Sequence, residues 1–101
     1  MEKFYDLIKG NKPVFVLFYA TWCPHCRKML PIIERLQSHK ELTVLCYDID
    51  APANKRLVDY YQVQAVPLML IYRAGEQLWR WNGEIAEDEL IQTIKRLLGK
   101  A

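Results

Sequence analysis

Apolar residues along this chain follow two rhythms, one of strands and one of helices, and the two take turns. Val14-Phe15-Val16-Leu17-Phe18-Tyr19 is apolar without a break, which suits a central strand covered on both faces. Ahead of it, Phe4, Leu7 and Ile8 share one side of a short helix over Glu2–Lys9, which Gly10-Asn11 closes. After it, Cys26, Met29, Leu30, Ile33 and Leu36 recur at helical spacing, with Arg27, Lys28, Glu34 and Arg35 on the other side. Pro24 fits the first turn of that helix, where a missing N–H costs nothing. Pro31 removes the hydrogen bond to the Arg27 carbonyl and is expected to kink the helix rather than end it.

Further along, Thr43–Ile49 predicts a second strand, Ala53–Tyr61 a short helix, Leu68–Tyr72 a third strand and Gln77–Trp81 a fourth, with Ala74-Gly75 as hairpin chemistry between the last two. Leu90, Ile91, Ile94, Leu97 and Leu98 form the apolar stripe of a final helix. Glu87, Asp88 and Glu89 open that helix, Lys95, Arg96 and Lys100 close it, and Gly99 suits its C-cap, a polarity that matches the helix dipole. The predicted order is α-β-α-β-α-β-β-α. Early βαβ connections give a parallel pair and the late hairpin an antiparallel one. An α/β fold follows, a mixed four-stranded sheet with helices on both faces.

Composition narrows the function. The chain has 101 residues, expected to form a single domain over 1–101, of which 51% are hydrophobic and 26% charged. Such proportions exclude a disordered or low-complexity chain. A net charge of +2 offers no basic stripe for nucleic acid and no polybasic cluster for a membrane. No apolar run reaches the ~20 residues of a spanning helix. Met1-Glu2-Lys3-Phe4-Tyr5-Asp6 does not read as a signal segment. The expected location is cytoplasmic, or extracytoplasmic if a signal segment has been removed. Three cysteines cannot make a disulfide scaffold.

Two of those cysteines carry the chemistry. In Cys23-Pro24-His25-Cys26 a pair of thiols sits two residues apart at a helix N-terminus, where they can close a small disulfide ring. Thiolate is the reactive form, so the site has to lower one pKa. Unpaired N–H groups and the helix dipole face Cys23. His25 is placed to donate to its thiolate, and Arg27 and Lys28 follow. Cys26 lies on the apolar stripe and is expected to be the more buried. Cys23 then attacks or is attacked, and Cys26 resolves the mixed disulfide. Two other readings stand beside this one. Ordinary core cysteines are disfavoured because Trp22 and Pro24 place the pair at a strand-to-helix turn, where thiols are exposed. A zinc site needs four ligands from Cys23, Cys26, Cys46, His25 and His39, and no second ligand pair has metal-binding spacing.

At this point the chain resembles the thioredoxin superfamily over nearly its whole length. The likeness rests on Val14–Tyr19, Ala20-Thr21-Trp22-Cys23-Pro24-His25-Cys26, Pro31, Val66-Pro67, Gly75-Glu76 and Gly83. It implies the thioredoxin fold and a thiol–disulfide oxidoreductase with no metal or organic cofactor. The implied partners are disulfide-bearing proteins or small molecules and a thiol or disulfide electron partner. A monomer is expected, with neither nucleic acid nor membrane as partner. The resemblance further implies that Pro67 is cis beside the cysteines, that Val66 pairs its backbone with an extended substrate segment, and that Trp22 and Gly83 border the same groove.

The departures are as informative as the matches. Pro-His stands where thioredoxins usually have Gly-Pro, and is the pair found in a bacterial periplasmic oxidant of the superfamily. Leu17 takes the place of the usual buried Asp, Cys46 that of its companion Lys, and Leu68 that of a Thr. The N-terminal strand usual in thioredoxins gives way to the Glu2–Lys9 helix. A binding module of the same fold with little turnover is the alternative function. Among the remaining residues, Cys46 is expected to be a small buried hydrophobe, with a third redox role as the alternative; His39 a solvated helix-end residue; Trp79 and Trp81 edge-strand packing, with an aromatic partner patch as the alternative; and Tyr60-Tyr61 the core and rim of the short helix.

Overall fold

Strand β1 (Val14–Tyr19) is the axis of the molecule, because its side chains are taken up by both faces of the sheet. The computed structural model describes residues 2–99. Helix α1 (Glu2–Lys9) precedes β1, and α2 (Pro24–Leu36) and β2 (Thr43–Asp48) follow it. A 3₁₀ turn at Pro52–Asn54, α3 (Lys55–Tyr60), β3 (Leu68–Arg73), β4 (Glu76–Asn82) and α4 (Glu87–Leu98) complete the chain. The sheet order is β2-β1-β3-β4, with β1 and β2 parallel and both β1–β3 and β3–β4 antiparallel. This is the mixed four-stranded sheet that the element order predicts. Lys100, expected at the end of the last helix, lies outside the described residues.

The unbroken apolar run of β1 divides between two cores. Phe15 and Leu17 join Met29, Ile33, Met69, Leu90 and Ile94 under α2 and α4. Val14, Val16 and Phe18 join Phe4, Ile8, Leu57, Leu68 and Leu70 under α1 and α3. Alternation is present in β1 after all, but both sides of it are apolar because both sides are covered. Phe4 anchors the second core through edge-to-face contacts with Tyr47, Tyr61 and Tyr72.

The hairpin turn is built as Ala74-Gly75 predicts. Both residues have positive φ, 53° and 80°, the combination that two-residue hairpins of matching twist require. Its backbone N–H groups also donate to the carbonyls of Gly10 and Ile8 at 2.9 and 2.7 Å, satisfying the open end of α1. Gly99 serves a different need at the end of α4. Its φ is −73°, and a Cβ there would lie 2.6 Å from the Lys95 carbonyl oxygen. Helix α2 runs through Pro31 without ending. The expected helix over Ala53–Tyr61 is instead the 3₁₀ turn followed by α3, with Asn54 Nδ2 donating to the Asp48 carbonyl at 2.9 Å.

Cys46 corrects an expectation. It is exposed rather than a buried hydrophobe, because β2 is an outer strand of the sheet. Leu17, beside it in the register, is fully buried. The pair separates in a stability test. Leu17→Ala should lower unfolding stability by about 2–5 kcal/mol, and Cys46→Ser should change it by less than about 0.5 kcal/mol, both read from urea midpoints. A Cys46→Ser cost as large as that of Leu17→Ala would return the thiol to the core.

Candidate active site

Where β1 ends, the chain turns sharply into α2. The Cys23 N–H donates to the Ala20 carbonyl at 3.2 Å, and Cys23 becomes the N-cap of α2 with extended backbone, φ −88° and ψ 116°. An N-cap side chain accepts from the first free N–H groups of its helix. Here the acceptor is sulfur, and the Cys26 N–H donates to Cys23 Sγ at 3.4 Å. Pro24 occupies the first helical position and holds the turn. Both cysteines are free thiols.

The thiols are less open than their position at a turn suggests. Cys26 is fully buried and Cys23 only 4% exposed. They pack with Ala20, and Tyr19, Ile49 and Val66 close over them. The exposed group at this turn is Trp22, at 62%. Its indole Nε1 donates to Asp50 Oδ2 at 2.7 Å.

Burial acts on both sulfurs, and hydrogen bonding separates them. At Cys23 burial raises the thiol pKa. The Cys26 side chain, the backbone N–H groups of Cys26 and His25, and the Arg27 charge outweigh it and leave the thiol below its ordinary value. At Cys26 burial again raises the pKa. A backbone hydrogen bond from Ala20 offsets part of this, the neighbouring Cys23 adds to it, and the thiol is pushed up to about 11. No carboxylate contributes to either sulfur. Leu17, which stands at the position of the usual buried Asp, lies in the apolar core under α2.

The His25 side chain, expected to donate to the Cys23 thiolate, has its hydrogen bond elsewhere in this structure. The exposed ring has no hydrogen bond to Cys23, and Nδ1 donates to Glu84 Oε2. Only the His25 backbone acts on the sulfur. The nearest acid downstream in sequence is Glu34, but the acid that meets His25 in space is 59 residues away. Its hydrogen bond from His25 comes first among the influences that hold Glu84 below the usual carboxylate range, and burial opposes them.

The other wall of the site is the loop before β3. The Val66–Pro67 peptide is cis. The Cys23 thiol donates to the Val66 carbonyl at 3.7 Å. The end of β4 grips this loop on both sides of that peptide: Asn82 Nδ2 donates to the Ala65 carbonyl at 3.0 Å and the Gly83 N–H to the Pro67 carbonyl at 2.8 Å. Gly83 has φ 98°, a conformation that favours glycine. Val66 meets Cys23 and Gly83 meets Pro67, while Trp22 precedes Cys23 in the chain and reaches Asp50; Glu84 reaches His25 from the loop after β4. Trp79 and Trp81 stack at 6.0 Å on β4, and Trp81 Nε1 donates to the Glu84 carbonyl at 3.2 Å.

The zinc reading finds no support in placement. Among the described residues no three His, Cys, Asp or Glu side chains converge as metal ligands. His39 lies past the end of α2, exposed and 3.7 Å from Glu41, at a cavity of about 330 Å³ between α2 and α4 that contains none of the cysteines. Among the described residues no helix is long and apolar enough to cross a membrane.

Comparison with known proteins agrees with this geometry. A thioredoxin-like protein of Synechocystis is 33% identical over 93 residues, which cover 91% of this chain and 89% of that protein. Chloroplastic thioredoxin Y of Oryza sativa is 34% identical over 92 residues, 91% of this chain but only 55% of that one, so the chain spans about half its length. The solved structure of a thioredoxin variant from Halobacterium salinarum superposes with a TM-score of 0.84 at 30% identity, covering 96% of this chain and 84% of that one. The thioredoxin profile matches residues 1–96, and the chain belongs to the thioredoxin family of thiol–disulfide oxidoreductases.

Proposed function

We propose that Cys23 and Cys26 are the reacting pair and that the chain exchanges this dithiol with disulfides of proteins or small molecules. The observation that carries the proposal is the N-cap geometry of Cys23, a sulfur that accepts the Cys26 N–H at 3.4 Å and sits below its ordinary pKa. The Cys23 thiolate attacks a substrate disulfide, forming one S–S bond and releasing one substrate thiolate. Cys26, as thiolate, then attacks Cys23, closes the intramolecular disulfide and releases the second substrate thiolate. A thiol electron partner returns the disulfide to the dithiol. Trp22, Val66, Pro67 and Gly83 border the place where the substrate chain would lie, with the Val66 backbone available to an extended segment.

The two cysteines should fail in different ways. Cys23→Ser should abolish reduction of insulin disulfides by dithiothreitol beyond the uncatalysed rate. Cys26→Ser should accumulate mixed disulfides, because attack proceeds without resolution. Adducts on the Cys23→Ser protein and none on the Cys26→Ser protein would reverse the roles. A wild-type protein that gives no acceleration is instead a binding module.

Resolution should depend steeply on pH. Burial, the first cause of the high Cys26 pKa, persists in the mixed disulfide, whereas the contribution of the Cys23 charge does not. A raised pKa leaves thiolate scarce at neutral pH, and its fraction grows about tenfold per pH unit below that pKa. Single-turnover tryptophan fluorescence should therefore show resolution accelerating from about pH 6 to 9. Leu17→Asp supplies a carboxylate, but it gives up the apolar burial that Leu17→Ala gives up, about 2–5 kcal/mol, and adds the cost of a buried polar group, on the order of 1–3 kcal/mol; where the variant still folds, it should flatten that dependence. A fast, flat wild-type profile would mean that another residue takes the proton.

A further inference from the structure

His25 and Glu84 form a contact that neither the fold nor the exchange chemistry requires. The carboxylate is held in place from several directions. Its own carbonyl accepts from Trp81 Nε1 at 3.2 Å, and the preceding Gly83 N–H is fixed to the Pro67 carbonyl at 2.8 Å. Oε2 accepts from His25 Nδ1, and Lys28 Nζ stands 3.9 Å from the same oxygen. The remaining cation of this turn, Arg27, directs Nη1 to the Thr21 carbonyl at 3.2 Å. Cys23 Sγ, by contrast, receives the Cys26 N–H and no hydrogen bond from the imidazole.

An imidazolium near a thiolate stabilises it, and so stabilises the reduced form of a dithiol and makes the disulfide more oxidising. An imidazolium in contact with a carboxylate presents the sulfur with almost no net charge. Glu84 is held below the usual carboxylate range by the His25 hydrogen bond first, against burial, with Lys28 contributing, and so is ionised at neutral pH.

Resting on the dithiol reading above, we propose that Glu84 is a positioning residue of the exchange reaction. It draws the His25 ring away from Cys23 and keeps the Cys23–Cys26 disulfide a weaker oxidant than the Pro-His pair would otherwise make it. The loop after β4 therefore sets the redox bias of a motif on α2.

Equilibration with glutathione tests this. Two glutathione thiols reduce the disulfide to the dithiol and leave as glutathione disulfide. The test compares wild type, Glu84→Gln, His25→Ala and the double variant, with the ultraviolet thiolate titration of Cys23 as a second readout. Glu84→Gln should shift the equilibrium about tenfold towards the dithiol, which is ~30 mV, and move the Cys23 titration to lower pH. His25→Ala alone should shift the equilibrium less than threefold, and in the Glu84→Gln background it should cancel the tenfold shift. An unchanged or opposite equilibrium in Glu84→Gln, or a shift that survives in the double variant, overturns the role of Glu84. A wild-type protein that forms no Cys23–Cys26 disulfide at any glutathione ratio overturns the dithiol reading itself, and this role with it.

Discussion

A sulfur atom at the N-cap of α2 is the constraint on which the rest of the structure depends. A buried thiol is ordinarily held protonated, because a buried charge lacks solvation. Cys23 escapes this because the turn from β1 places its Sγ where the first free N–H groups of the helix point, with the Cys26 N–H donating at 3.4 Å. The geometry needs a strand that ends at a fixed point. β1 provides it, with Val14 to Phe18 locked between two cores. Pro24 then starts the helix at once, and no slack remains between strand end and sulfur.

The same first turn separates two chemically identical groups. Cys26 lies one turn deeper, fully buried, and the surrounding Ala20, Tyr19, Ile49 and Val66 include no acid. One thiol is thereby poised to ionise and the other to stay protonated, the asymmetry that the proposed exchange would use. The facing wall is assembled independently, by β4 reaching across to hold Ala65 and Pro67. The Cys23 turn and the wall facing it thus come from distant parts of the sequence and meet beyond the C-terminal end of β1.

What the sequence disclosed, and what it concealed, follows the range of the interactions. β1, α2, the Ala74-Gly75 turn and α4 were legible because local periodicity and turn chemistry determine them. The Cys23 N-cap was legible for the same reason, since Cys23 and Cys26 lie within one turn. The ring of His25 was not, because its partner Glu84 is 59 residues distant and nothing local marks it. Asp50, 28 residues from Trp22, was hidden likewise. The exposure of Cys46 is hidden in the sequence, because a stretch of apolar residues does not reveal whether its strand lies at the centre or the edge of the sheet. Its neighbour Leu17 occupies the centre and is buried, whereas Cys46 lies outside it and is exposed. Cys23 was expected to be open because turns usually are, but Val66 and Ile49, from distant loops, close over it.

On the proposed reading, thiol reactivity in this protein follows the helix terminus rather than exposure. Cys23 is buried and Cys46 is exposed, so the two pull an alkylating reagent in opposite directions. Brief treatment of the reduced native protein with limiting iodoacetamide near pH 6.5, followed by peptide mass mapping, decides between them. Label on Cys23 well ahead of Cys46 and Cys26 is the predicted result. Label on Cys46 first, with Cys23 spared, would mean that exposure rather than the helix terminus sets thiol reactivity.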